Sequence, residues 1–129
     1  MLNEAPSVKG GSVLGKKILV IDDEQMMLDA IKTILEEMGH QVECFSNSIE
    51  GEKSALENDY DLILTDIRMP QRNGAELTEA ILKEKPNANV LVITGHPNDP
   101  VTKRALDVGA KGLVKKPFDI GKILEFLKD

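Results

Sequence analysis

With 129 residues the chain has the length of one domain, leaves no room for a second, and can bury a core without staples. Its 41% hydrophobic and 29% charged residues fit a globular chain, and no apolar run nears the ~20 residues of a membrane span. A net charge of −6 and 3% aromatics argue against nucleic-acid binding by phosphate neutralisation or base stacking. Residues 1–15 hold three glycines and a proline without any apolar period, and read as a tail or linker before a domain over 16–129. The N-terminus lacks the charged-then-apolar pattern of a secretion signal, and the single cysteine, Cys44, has no disulfide partner. Together these predict a cytoplasmic protein.

After the tail, short apolar runs alternate with amphipathic stretches. Lys17–Ile21, Gln41–Phe45, Leu62–Thr65, Val90–Ile93 and Gly112–Val114 are the predicted strands. Most are near-continuously apolar, as strands covered on both faces should be. Behind the first, Met27, Leu28, Ile31, Ile34, Leu35 and Met38 recur at helical spacing until Gly39 stops the run. Ser48–Asn58 has no clean apolar face, because Gly51, Glu52 and Lys53 interrupt it, yet the alternation demands a crossover helix there. Leu77 and Ile81 mark the next helix, which Pro86 ends. Val101, Ala105, Leu106 and Val108 mark another, closed by Gly109, and Ile120, Ile123, Leu124 and Leu127 form the last. Five such units predict a doubly wound α/β domain, with helices on both faces of a five-stranded parallel sheet. Cys44 falls in a strand expected to lie in the interior and reads as a small core residue.

In sheets of this kind ligands sit beyond the carboxyl ends of the strands. Asp22, Asp23 and Glu24 follow the first strand, Asp66 the third, Thr94 the fourth and Lys116 the fifth. Each has a plain reading alone. Asp22 or Asp23 would cap a helix, Asp66 a turn, Thr94 would satisfy a backbone group, and Lys116 would be a surface cation. Their convergence on one sheet edge favours chemistry instead. Three carboxylates held together raise one another's pKa unless cations intervene. Mg²⁺ suits such a set, being hard and usually held by one or two carboxylates with phosphate oxygens and water. A carboxylate beside it can attack a phosphoryl group to give an aspartyl phosphate, while metal, lysine and hydroxyl offset the charge on that group.

In this order and spacing the set resembles the receiver domain of response regulators, of the chemotaxis-regulator type, from about Lys17 to the C-terminus. The resemblance implies a two-component signalling module with the flavodoxin-like strand order 2-1-3-4-5. It implies that Asp66 is the phosphoacceptor and that Asp22 and Asp23 organise Mg²⁺, with Asp23, Asp66 and the main-chain carbonyl of Arg68 as ligands. Lys116 would pair with the acceptor carboxylate and then the phosphoryl group, and Thr94 would swing in to bond a phosphoryl oxygen. The Lys116–Pro117 peptide would be cis. A histidine kinase or phosphotransfer protein would be the phosphodonor. A downstream protein would dock on the face made by the fourth helix, fifth strand and fifth helix. The domain would be a monomer or dimerise on phosphorylation, turn over no external substrate, and bind neither nucleic acid nor membrane directly. With no output domain after Asp129, the expectation is a single-domain regulator or an excised receiver.

Departures from the family pattern carry information too. Leu113 stands where the family often has Tyr or Phe, so the aromatic form of the switch lacks its ring. Arg68 and His96, the second residues after Asp66 and Thr94, flank the site at positions that vary with phosphoryl lifetime in the family. Arg68 is expected to cover a phosphoryl oxygen and lengthen that lifetime. His96 reads equally as a titratable neighbour of the site and as a loop residue before Pro97. Between Pro100 and Lys122 six cations face two anions, a local +4 that suggests a docking face for an acidic partner. Two other classes compete: a receiver-like module that docks without phosphorylation, and a small Mg²⁺-dependent phosphatase.

Overall fold

In a computed structural model the described residues are 15–117 and 119–127. Residues 1–14 of the expected tail lie outside them, as does Phe118. Among the described residues five strands alternate with five helices: β1 Lys17–Ile21, α1 Gln25–Glu37, β2 Gln41–Phe45, α2 Ser48–Glu57, β3 Leu62–Asp66, α3 Gly74–Glu84, β4 Val90–Thr94, α4 Pro100–Asp107, β5 Gly112–Lys115 and α5 Ile120–Glu125. The strands are parallel, in the order β2-β1-β3-β4-β5.

Alternation along each strand splits the core into two layers. Ile18 and Val20 point to one face, where Leu28, Ile31 and Leu35 of α1 and Ile123 of α5 cover them. Leu19 and Ile21 point to the other, against Ala55 of α2 and Leu77 and Ile81 of α3. Each fully buried aliphatic side chain of this kind stabilises the fold by about 1.5–3 kcal/mol relative to exposure. β3 and β4 are buried along their whole length because they sit centrally, with helices over both faces.

Two local expectations need correcting. Cys44 is not in an interior strand, because β2 is the sheet edge, and the residue is half-buried beside the α1 layer. Burial still pushes its thiol up to about 11, so it stays protonated and inert at neutral pH. The last helix ends at Glu125 rather than reaching Leu127, although Leu127 remains buried in the core. The assigned crossover helix is present, and Gly51, which interrupts its apolar pattern, is the reason α2 can lie on β1. A Cβ there would come within 2.8 Å of the Ile21 side chain, so only glycine allows that approach. Asn47 starts this helix by accepting from the Glu50 amide at 3.0 Å.

At the opposite edge of the sheet from the strand ends, His40 is 4% exposed. Its Nδ1 accepts from the Lys16 amide at 3.2 Å, which places the ring proton on Nε2, buried without a partner among the described residues. Burial and then the Lys16 charge hold its pKa below the usual value, with Asp61 opposing. A histidine depressed in the native state contributes stability above its unfolded pKa of 6.5 and loses it as pH falls through the native value. Between about pH 7 and pH 5 the wild type should therefore lose more stability than His40→Gln, measured as the difference of their denaturation midpoints. Parallel curves for the two proteins would contradict the assignment.

Candidate functional site

The strand register assembles the site. Ile21 pairs with Thr65, so Asp22, the residue after β1, stands level with Asp66 at the end of β3. Asp66 pairs with Ile93, which brings Thr94 one step beyond it, and Thr94 pairs with Lys115, which leaves Lys116 at the rim. Asp22, Asp66 and Thr94 are buried, whereas Asp23 is exposed at the mouth. One carboxylate oxygen from each of Asp22, Asp23 and Asp66 lies within 4.8 Å of the others.

Lys116 is the counter-charge. Its Nζ lies 3.1 Å from Asp22 Oδ2, 3.3 Å from Asp66 Oδ2 and 3.0 Å from Glu24 Oε1. Burial opposes its charge, but these three carboxylates outweigh that cost and raise its pKa. Burial pushes Asp66 up to about 6 and the Asp22 charge adds to the rise, against the Ile67 amide and Lys116. Burial likewise raises Asp22. Asp66 Oδ1 accepts from the Ile67 amide at 2.8 Å, which leaves Oδ2 facing Lys116.

Glu24 is the residue the sequence reading missed. It occupies the N-cap position of α1, yet its side chain makes no cap and turns to Lys116 instead. Neither Asp22 nor Asp23 is that cap, and Asp22 Oδ1 accepts the Glu24 amide at 2.9 Å. The one available signal was adjacency to the acidic pair, which is common at helix starts.

The donor set suits a hard cation. Asp22 Oδ2 is buried, within ion-pair distance of Lys116 but with no hydrogen bond to satisfy it. A buried carboxylate oxygen held only by the Lys116 ion pair, beside two further carboxylates and with no histidine or cysteine in the cluster, fits Mg²⁺ better than a softer metal.

Around this centre, Thr94 Oγ1 accepts from the His96 amide at 2.8 Å, keeping its own proton to donate. The Lys116–Pro117 peptide is cis. Leu113 of β5 is half-buried, packed against the cluster of Ile67, Val92 and Ala105. Arg68 stands two residues past the acceptor. Its guanidinium is engaged by Asp99, with Nε and Nη2 each 2.8 Å from a carboxylate oxygen.

A parallel sheet in this order, with an acidic pocket and one lysine at its carboxyl edge, defines the receiver fold. Residues 18–128 match the response regulator receiver domain family, and the chain belongs to that family. Over 116 residues it is 30% identical to the chemotaxis protein CheY of Halobacterium salinarum, covering 90% of this chain and 97% of that protein. A CheY-like receiver domain protein from Methanospirillum hungatei JF-1 superposes with a TM-score of 0.82 at 32% identity, covering 88% of this chain and 94% of that one. A response regulator from Burkholderia pseudomallei, solved with a phosphorylated aspartic acid and a calcium ion, superposes with a TM-score of 0.79 at 28% identity, covering 87% of this chain and 66% of that one. Receiver domains are signalling modules of two-component systems, and phosphorylation on aspartate with Mg²⁺ is a general feature of the family. Among the described residues no helix is long and apolar enough to cross a membrane.

Proposed function

We propose that the protein is a cytoplasmic signalling module that takes a phosphoryl group on Asp66 from a histidine kinase or phosphotransfer protein. The observation that carries this reading is Asp66 Oδ2 lying 3.3 Å from Lys116 Nζ at the end of the central strand, with Oδ1 tied down by the Ile67 amide. At neutral pH a carboxyl with a pKa of about 6 is mostly ionised, so Oδ2 is a competent nucleophile. It forms the new bond to phosphorus as the bond to the donor nitrogen breaks, and that electron pair leaves with the donor imidazole. Lys116 follows the charge onto the phosphoryl oxygens, and Thr94 donates its hydroxyl proton to one of them. Asp23, Asp66 and the main-chain carbonyl of Arg68 would hold Mg²⁺, with Asp22 orienting it. When bound, the ion offsets negative charge on the phosphoryl oxygens.

For the partner face we favour α4, β5 and α5. Leu106, Leu113 and Pro117 form an apolar groove there, rimmed by Lys115 and Lys122. The basic character is smaller than the local +4 suggests. Lys116 belongs to the acidic site, Lys103 pairs with Asp107, and Arg104 pairs with Glu79. Lys111, Lys115 and Lys122 remain as exposed cations toward an acidic partner.

A small acyl-phosphate donor is expected to add one phosphoryl group in Mg²⁺, read by intact mass. None should form in chelator, and none on Asp66→Asn. An adduct that survives this substitution would move the acceptor elsewhere. No adduct on the wild type would favour the phosphorylation-independent docking module, and turnover of a free phosphate ester would favour the phosphatase.

A further inference from the structure

Asp99 and Arg68 join the Asp66 site to the start of α4. Arg68 stands two residues past Asp66, and its guanidinium grips Asp99 through two parallel bonds of 2.8 Å. Asp99 is also the N-cap of α4, where its Oδ1 accepts the Val101 amide at 2.8 Å. Its carboxyl is held below the usual carboxylate range, first by Arg68 and then by that amide. The same loop is pinned a second time. The His96 amide donates to Thr94 Oγ1, and the His96 carbonyl accepts from the Asp99 amide at 3.0 Å and from Thr102 Oγ1 at 3.2 Å. Residues 95–99 are thus tied down by Arg68 and Thr94, two side chains that can donate to a new anion and that follow the acceptor strand and its neighbour β4.

We propose that Asp99 is a positioning residue for Arg68, holding its guanidinium on the α4 terminus while Asp66 is unmodified and yielding it to the phosphoryl group once Asp66 is modified. The idea rests on the reading of Asp66 as the phosphoacceptor. The electrostatics favour transfer. A phosphoryl group carries more negative charge than one carboxylate, and the arginine fork accepts either partner in bidentate geometry. Arg68 is 61% exposed at its side chain, so it can change partner without rearranging the core. Asp99 keeps the Val101 amide when Arg68 leaves, so α4 retains its cap while the loop loses its tie to the segment between β3 and α3. Asp99 and the phosphoryl group therefore compete for one cation, and Asp99 shortens the lifetime of the modified state.

The test follows decay of the phosphorylated protein by intact mass after the acyl-phosphate donor is removed, in Mg²⁺. Wild type is compared with Asp99→Asn, Asp99→Ser, Arg68→Ala and the Asp99→Asn/Arg68→Ala double variant. Asn and Ser both cap helices well, so each removes the charge and keeps α4 started. Both are expected to slow decay roughly two- to fivefold, the range a partly exposed ion pair supplies. Arg68→Ala should hasten decay, and the double variant should decay like Arg68→Ala alone. Unchanged decay in the Asp99 variants, or the same change with Arg68 absent, would overturn the proposal and leave the pair a static surface bridge. An unmodified wild type would instead overturn the phosphoacceptor reading, and this inference with it.

Discussion

Gly74→Ala is expected to destabilise the domain by about 1–3 kcal/mol and to impair Asp66 phosphorylation beyond what unfolding explains. A Cβ at Gly74 would lie 2.4 Å from the Asp66 carbonyl oxygen and 3.1 Å from Ile67 Cα. Both are backbone atoms, so neither can rotate away as a side chain would. Nor can α3 retreat easily. The Gly74 amide donates to the Ile67 carbonyl at 2.8 Å, and Asn73 and Glu76 lock the helix start with a reciprocal pair of bonds. The strain must therefore pass into the Asp66–Ile67 segment, where the Ile67 amide orients the acceptor carboxylate. The melting temperature should fall by several degrees, and modification should slow under conditions where both proteins are fully folded. A melting temperature equal to wild type would show that the α3 start shifts freely.

Lys116→Met should be more damaging without metal, costing about 3 kcal/mol at neutral pH, because it leaves Asp22 and Asp66 as buried carboxylates with no cation. The pH dependence identifies the cause. Asp66 is raised from 3.8 to about 6 in the native state, so its contribution to stability is fully present below 3.8 and is lost as pH rises through about 6. Removing Lys116 takes away a group that lowers the Asp66 pKa, so that loss moves to higher pH in the variant. Its deficit should consequently be large near pH 7.5 and narrow toward pH 5, where Asp66 takes up a proton. Added Mg²⁺ should recover part of the deficit by replacing the missing positive charge. Denaturant midpoints in chelator at several pH values, with one Mg²⁺ series, measure both effects. A deficit independent of pH would mean that Lys116 stabilises by packing alone.

The sequence by itself determined the five strands, the helices between them and the positions of Asp22, Asp66, Thr94 and Lys116. These follow from local periodicity, and a parallel sheet brings all carboxyl ends of its strands to one edge. Even the poorly patterned Ser48–Asn58 stretch was legible, because two parallel neighbours demand a crossover. What Gly51 does there was not, since its reason is the Ile21 side chain on another element. Only the tertiary structure decided that Glu24 shares Lys116 across 92 positions, and that Arg68 grips Asp99 across 31. A residue's spacing says which face or strand end it occupies, but the partner a long polar side chain takes depends on which rotamer reaches which charge. That choice exists only after distant segments have packed.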